Sequence, residues 1–251
     1  MKKLTTLVLL FAVTASFTLA QEEPIPPPRR ATAPKVGLFG GFTPAWLKVN
    51  VAPVNEFLLG AKGGALEDNG MMMYGGAGAI YIMVVKNLRV GGVGMGGAKS
   101  STAIDAAGVR RDAEMSVSFG GLTLEYVFPI VPRFDVAVGT MIGGGGTTLT
   151  LRQNTGGNAT WADEQRLFGT WPWSGQTNST RRLEGSFFTL VPSVNVEYAI
   201  LGYLGVRLGA SYVLMFAPSW EVDGKHELAG VPSGVKGNGF MINAGILFGT
   251  F

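Results

Sequence analysis

The sequence predicts an all-β protein: an eight-stranded antiparallel up-and-down transmembrane β-barrel running from Lys35 to Phe251. Three observations carry that expectation. Eight apolar, Gly-rich segments follow one another along the chain. Their connections alternate long and short with strand parity, the wiring of barrels with brief periplasmic turns and extended outer loops. Within the segments, side chains alternate between greasy and small or polar with the period of two that a strand imposes.

The chain opens with Lys2 and Lys3, an apolar run from Leu7 to Val13 and a small-residue exit at Thr18-Leu19-Ala20, so Met1–Ala20 is expected to be a secretory signal peptide. The Pro-rich, polar stretch Gln21–Pro34 reads as an extended periplasmic leader. Losing the two signal lysines lowers the formal charge from +3 to +1, and no Lys/Arg run with interleaved aromatics suggests nucleic acid. Cysteine is absent, which excludes disulfides and thiolate metal sites. No later segment has the ~18 uninterrupted apolar residues of a spanning helix. Yet 47% of residues are hydrophobic and only 15% charged, so much apolar surface needs a destination other than a soluble core.

The expected strands are Lys35–Phe42, Met72–Val85, Leu88–Lys99, Asp112–Phe128, Arg133–Arg152, Arg182–Ala199, Leu204–Glu221 and Gly237–Phe251. Short connections fall at Lys86-Asn87, Pro129–Pro132 and Ile200–Tyr203; long ones at Val49–Met71, Ser100–Arg111, Gln153–Arg181 and Val222–Lys236. In the sixth segment Phe188, Leu190, Val194, Val196 and Tyr198 share one face against Thr189, Ser193, Asn195 and Glu197. The seventh sets Leu204 through Phe216 on even positions against Arg207, Gly209 and Ser211. Bulky side chains would overfill a small lumen, so the greasy face is expected to meet lipid and the polar face the axis. An open sheet in hydrocarbon would leave edge N–H and C=O groups unsatisfied, so the sheet must close. The Gly91-Gly92 and Gly120-Gly121 pairs, where the alternation changes phase, read as bulges or bends. Aromatics gather at both strand ends as two girdles: Tyr126, Phe128, Phe134, Tyr198, Tyr203 and Phe248 on one side, Phe42, Trp46, Tyr74, Phe216 and Trp220 on the other.

In this wiring and girdling, Lys35–Phe251 resembles the small eight-stranded outer-membrane barrels of the OmpA transmembrane-domain and OmpX class. The runs Asn87-Leu88-Arg89-Val90-Gly91-Gly92 and Val196-Glu197-Tyr198 resemble those of Gly-rich barrels with no assigned activity. The resemblance implies residence in the bacterial outer membrane, outer-membrane lipid as the surrounding solvent and insertion by the barrel-assembly machinery. Terminal Phe251 resembles the aromatic end signal that this machinery reads, although Ala244, Ile246 and Phe248 put the apolar face on even positions and leave Phe251 out of phase.

Five inward charges flank the short turns at similar depth: Arg89, Glu125, Asp135, Glu197 and Arg207. Unpaired, they would be costly in a narrow lumen, so they are expected to form a salt-bridge plug, with a gate or proton path as the functional alternative. The loop from Gln153 to Arg181 carries Trp161, Trp171 and Trp173, suited either to an extracellular protein or glycan or to packing on a projecting ribbon. In the first loop Val54, Phe57 and Leu58 follow Pro53 at helical spacing, predicting a short amphipathic helix that caps the mouth or lies on the outer leaflet.

Enzyme signals are thin. His226, the single histidine, lies beside Glu227 and near Ser219 in sequence, residue types that barrel lipases use, but spacing demonstrates no triad. The G-x-G-x-x-G run from Gly92 to Gly97 lies inside a strand with no helix terminus to cradle phosphate. No cofactor or metal site is expected. The sequence therefore points to a non-catalytic envelope barrel acting through integrity or surface contact. A narrow channel for small or apolar solutes is second, and a lipid-modifying enzyme third.

Overall fold

The structure, a computed structural model, describes residues 37–82, 84–154 and 178–250. The expected signal peptide and Pro-rich leader, Trp161, Trp171 and Trp173, and the terminal Phe251 lie outside the described residues. Among the described residues ten strands and one helix follow in order: β1 Leu38–Phe42, β2 Ala45–Val49, α1 Ala52–Gly60, β3 Met71–Tyr81, β4 Leu88–Ile104, β5 Arg110–Val131, β6 Phe134–Asn154, β7 Ser179–Leu201, β8 Leu204–Val222, β9 His226–Glu227 and β10 Gly239–Gly249.

These strands close into an eight-membered ring. β1 and β2 each pair with β10 on one side and β3 on the other, and so act as the two halves of one strand. From β3 each strand pairs antiparallel with the next through β8, and β8 pairs with β10. β9 is a two-residue ribbon folded back on the end of β8. The first strand thus runs past the expected end at Phe42. Pro44, which has no N–H, interrupts the ladder without ending it, while Thr43 N–H donates to Gly75 and Ala244 N–H donates to Pro44 on either side of the break.

A single parity governs the faces: odd positions point inward and even positions outward. Leu122, Leu124, Tyr126, Phe128, Phe188, Val194, Tyr198, Leu208 and Tyr212 are exposed, whereas Thr189, Asn195, Glu197, Arg207 and Ser211 are buried. Such a closed barrel with an outward apolar band satisfies every strand edge inside the ring and crosses a bilayer with its strands. β5, β6 and β7 exceed twenty residues each, twice what hydrocarbon requires, and continue upward as a paired ribbon whose outward positions turn polar at Glu114, Thr150, Arg152 and Glu184.

Three expectations need correction. Trp220 does not join the outer girdle: it is buried inside, edge-on to Phe187 at 5.8 Å. The β7–β8 register shifts by one between Phe188↔Phe216 and Ser186↔Ser219. The extra residue lies on β8 beside Pro218, a bulge that inverts the parity beyond it. The Gly91-Gly92 and Gly120-Gly121 pairs are not bulges, because the ladders run through them without a shift. Lastly, the inward face is not uniformly small, polar or charged: the buried charges gather in the periplasmic half. Above it, Leu47, Val49, Met71, Met73, Met95, Met115, Val117, Met141, Val213, Met215 and Met241 fill the lumen. Eight strands leave an interior just wide enough for side chains, and unbranched methionine fits irregular space well.

Helix α1 stoppers the extracellular mouth. Pro53 sits in its first turn, where the missing N–H is no loss, and Asn50 Oδ1 accepts the Ala52 N–H at 3.0 Å. Val54 and Leu58 point down into the methionine layer. The returning chain is tied to the helix by Asn55, which accepts from Leu66 N–H at 2.7 Å and donates to Leu66 C=O at 2.9 Å.

Candidate functional site

The ladder register brings the inward charges together. Arg89 stands directly opposite Glu125 across β4–β5, and Glu197 directly opposite Arg207 across β7–β8. Because all four positions are odd, their side chains meet at the axis. Arg89 Nε donates to Glu125 at 2.7 Å, and its two terminal nitrogens grip both oxygens of Glu197 at 2.8 and 2.5 Å. Arg207 Nε donates to Glu197 at 2.7 Å and its Nη2 to Glu125 at 3.1 Å. Each cation thus bridges both anions and each anion both cations.

This quartet is neutral and almost wholly buried, with Arg89 only 1% exposed. Ions removed from water repay their desolvation only when geometry and hydrogen bonding are good, and bidentate guanidinium–carboxylate pairing meets that requirement. Phe39 lies below both guanidiniums, its ring centroid 4.8 Å from Arg89 Cζ and 5.5 Å from Arg207 Cζ, so the ring face adds cation–π attraction. Asn195 donates to Glu125 at 3.2 Å. Glycine makes the room: a Cβ at Gly139 would lie 2.6 Å from Glu125 Cγ, and one at Gly209 would run into the Asn195 and Asn243 side-chain oxygens.

Asp135, the fifth residue expected here, stands opposite Glu197 in the β6–β7 register and is half-buried. Together with Arg133 it lines a periplasmic vestibule of about 470 Å³ whose roof includes Arg89 and Glu197. Above the quartet is a chamber of about 60 Å³, lined by polar Thr43, Ser193, Asn195, Ser211 and Asn243 and closed at the top by Met95, Met141 and Met241. Its size and polarity suit a few water molecules. The interior is therefore stratified into open vestibule, ion-pair layer, polar chamber, methionine layer and helical stopper. Sequence reasoning missed the methionine layer. The signal was present in Tyr212-Val213-Leu214-Met215-Phe216, a continuous apolar run, which means that both faces of the strand there are apolar.

At the extracellular side the tips are stitched by charge. Asp105 accepts from the Ala107 and Val109 N–H groups at 2.9 and 3.0 Å and from Arg111 at 2.7 Å. The Arg111 guanidinium first, and then the Val109 amide, hold its carboxyl below the usual carboxylate range. His226 is exposed and faces Val222. That is three residues along β8 from Ser219, about 10 Å at strand rise, which is not a nucleophile–base distance. Among the described residues no cluster of histidine and carboxylate groups could hold a metal ion.

No protein-family model and no curated protein matches the sequence. Solved structures similar to it are outer-membrane proteins. OprG from Pseudomonas aeruginosa is 11% identical over 86% of this chain and 96% of that chain, with a TM-score of 0.45. A major outer membrane protein from Thermus thermophilus is 10% identical over 85% and 98%, with a TM-score of 0.42. Ail of Yersinia pestis, solved with the heparin analogue sucrose octasulfate, is 11% identical over 85% and 97%, with a TM-score of 0.34. At such identities nothing about activity transfers, and the fold stands on the closed register and the outward apolar band. The chain is a closed, eight-stranded transmembrane β-barrel.

Proposed function

We propose that this protein is a closed, non-catalytic barrel that serves envelope integrity and presents its extracellular loops for surface contact. The observation that carries this reading is the double closure of the lumen: a buried, neutral ion-pair quartet below and a methionine layer under α1 above. A solute would have to break both. Outer-membrane lipid solvates the belt, and the barrel-assembly machinery inserts the chain. Any contact with an extracellular protein or glycan falls to the outer loops, with Trp161, Trp171 and Trp173 as the candidate anchors.

Planar-bilayer conductance of the refolded protein, run beside a heat-modifiability gel, tests the closure. The expected result is a gel shift on boiling with no sustained conductance steps. Large, steady conductance in the folded barrel overturns the closed reading in favour of a narrow channel.

A further inference from the structure

Beside the stopper, on the extracellular side, lies a recess of about 230 Å³ that the closed-barrel reading does not use. Val54 and Phe57 of α1 form one wall, and Leu228 and Val231 of the segment after β9 form the opposite wall. Leu149 of β6 and Trp220 of β8 form the back. Trp220 reaches it only because the bulge at Pro218 turns the ring inward, and Gly185 leaves it space, since a Cβ there would lie 2.7 Å from the indole. The outer wall is held in place by the Leu228 N–H donating to Trp220 C=O at 2.8 Å and by a Val235–Pro232 turn at 3.0 Å. Phe57, half exposed, stands at the lip.

Apart from the Trp220 indole, no side chain lining this space carries a polar group, and none is charged. Ordered water needs two to four polar partners, so it is poorly held here. An apolar cavity of ~150 Å³ accepts benzene; a space half as large again accommodates about nine carbons. We infer that the recess binds one small uncharged apolar molecule, an alkylbenzene or a short alkyl chain of about six to nine carbons, at the outer mouth of the barrel. Binding requires no passage through the lumen, so the inference stands or falls separately from the closed reading.

The test uses the folded full-length barrel in phospholipid nanodiscs with ¹³C-labelled valine and leucine methyls, titrated with toluene. The Val54, Leu149, Leu228 and Val231 methyls are expected to shift saturably at one toluene per barrel, while lipid-facing Leu122 and Val194 drift linearly as toluene partitions into the bilayer. Benzoate at the same concentrations is expected to leave the recess methyls unmoved. Val231→Trp fills the space and should weaken binding at least tenfold with the heat-modifiable gel shift retained; Ala229→Trp, on the exposed segment, serves as a second filling variant. Linear shifts at the recess matching those of Leu122, equal shifts from benzoate, or unchanged titration in both folded filling variants would overturn the inference.

Discussion

Below the level of Asn195 and Asn243 the lumen is crossed by two guanidiniums and two carboxylates stacked on Phe39, whereas above it inward positions of the same strands carry mostly methionine, valine and phenylalanine. β8 shows the change within eight residues, from Arg207 through Ser211 to Met215. The two halves specify different things. The lower half demands partners: each charge is tolerable only because two opposite charges sit at hydrogen-bond distance. The upper half demands volume, and a flexible apolar side chain of similar size serves as well as the native one.

The largest effect that would break this contrast comes from the lower half. Glu197→Ala leaves both guanidiniums short of a partner and should cost about 3–5 kcal/mol, read as a lower urea midpoint for the vesicle-inserted barrel. A neutral result would mean that the quartet is hydrated rather than sealed. The same variant should stay silent in planar bilayers, because the methionine layer is intact; sustained conductance would show that the upper half is no barrier.

In the upper half, Met215→Ala should cost about 2–5 kcal/mol through the cavity it leaves, but Met215→Leu less than about 1.5 kcal/mol. Equal losses from the two would show that the thioether, not its volume, is required. At the boundary, Gly209→Ala pushes a methyl group into the Asn195 and Asn243 amides and should cost about 1–3 kcal/mol, measured by the same unfolding titration. A silent substitution would mean that the two asparagines are free to turn aside.

The smallest effect lies outside the lumen. Because Arg111 and the Val109 amide depress the Asp105 pKa, its contribution to loop order is fully present above the ordinary carboxylate value and is lost as pH falls through the depressed one. Protection of the Val109 amide, corrected for intrinsic exchange, should hold from pH 7 to 5 and decline below about pH 4. Asp105→Asn should lower it throughout; a flat profile equal to that of the parent would remove Asp105 from the stitch.

How much of this was legible in sequence follows from where the two-residue alternation is chemically visible. From Leu122 to Tyr126, from Ser193 to Tyr198 and from Leu204 to Ser211, greasy residues alternate with small or polar ones, so facing, parity and the depth of Glu125, Glu197 and Arg207 could be read directly. From Tyr212 to Phe216 both faces are apolar, the alternation vanishes, and the methionine layer went unread. Two prolines bear on the strand bounds. Pro44 only skips a hydrogen bond, so the first strand runs past Phe42, and Pro218, within the expected seventh strand, lies beside the bulge that turns Trp220 inward. The Val54–Leu58 helix was legible as a helix, but that it plugs the mouth depends on contacts with distant strands that spacing alone does not encode.

The register of the quartet also bears on how the barrel is built. Arg89 and Glu197 are 108 residues apart, yet each has a counter-ion on a directly neighbouring strand, Glu125 for the first and Arg207 for the second. Each of these two strand pairs therefore contains its own neutralising partner, independent of the other. A slip of one residue in either pair would turn one partner to the opposite face, so charge pairing and sheet register specify each other.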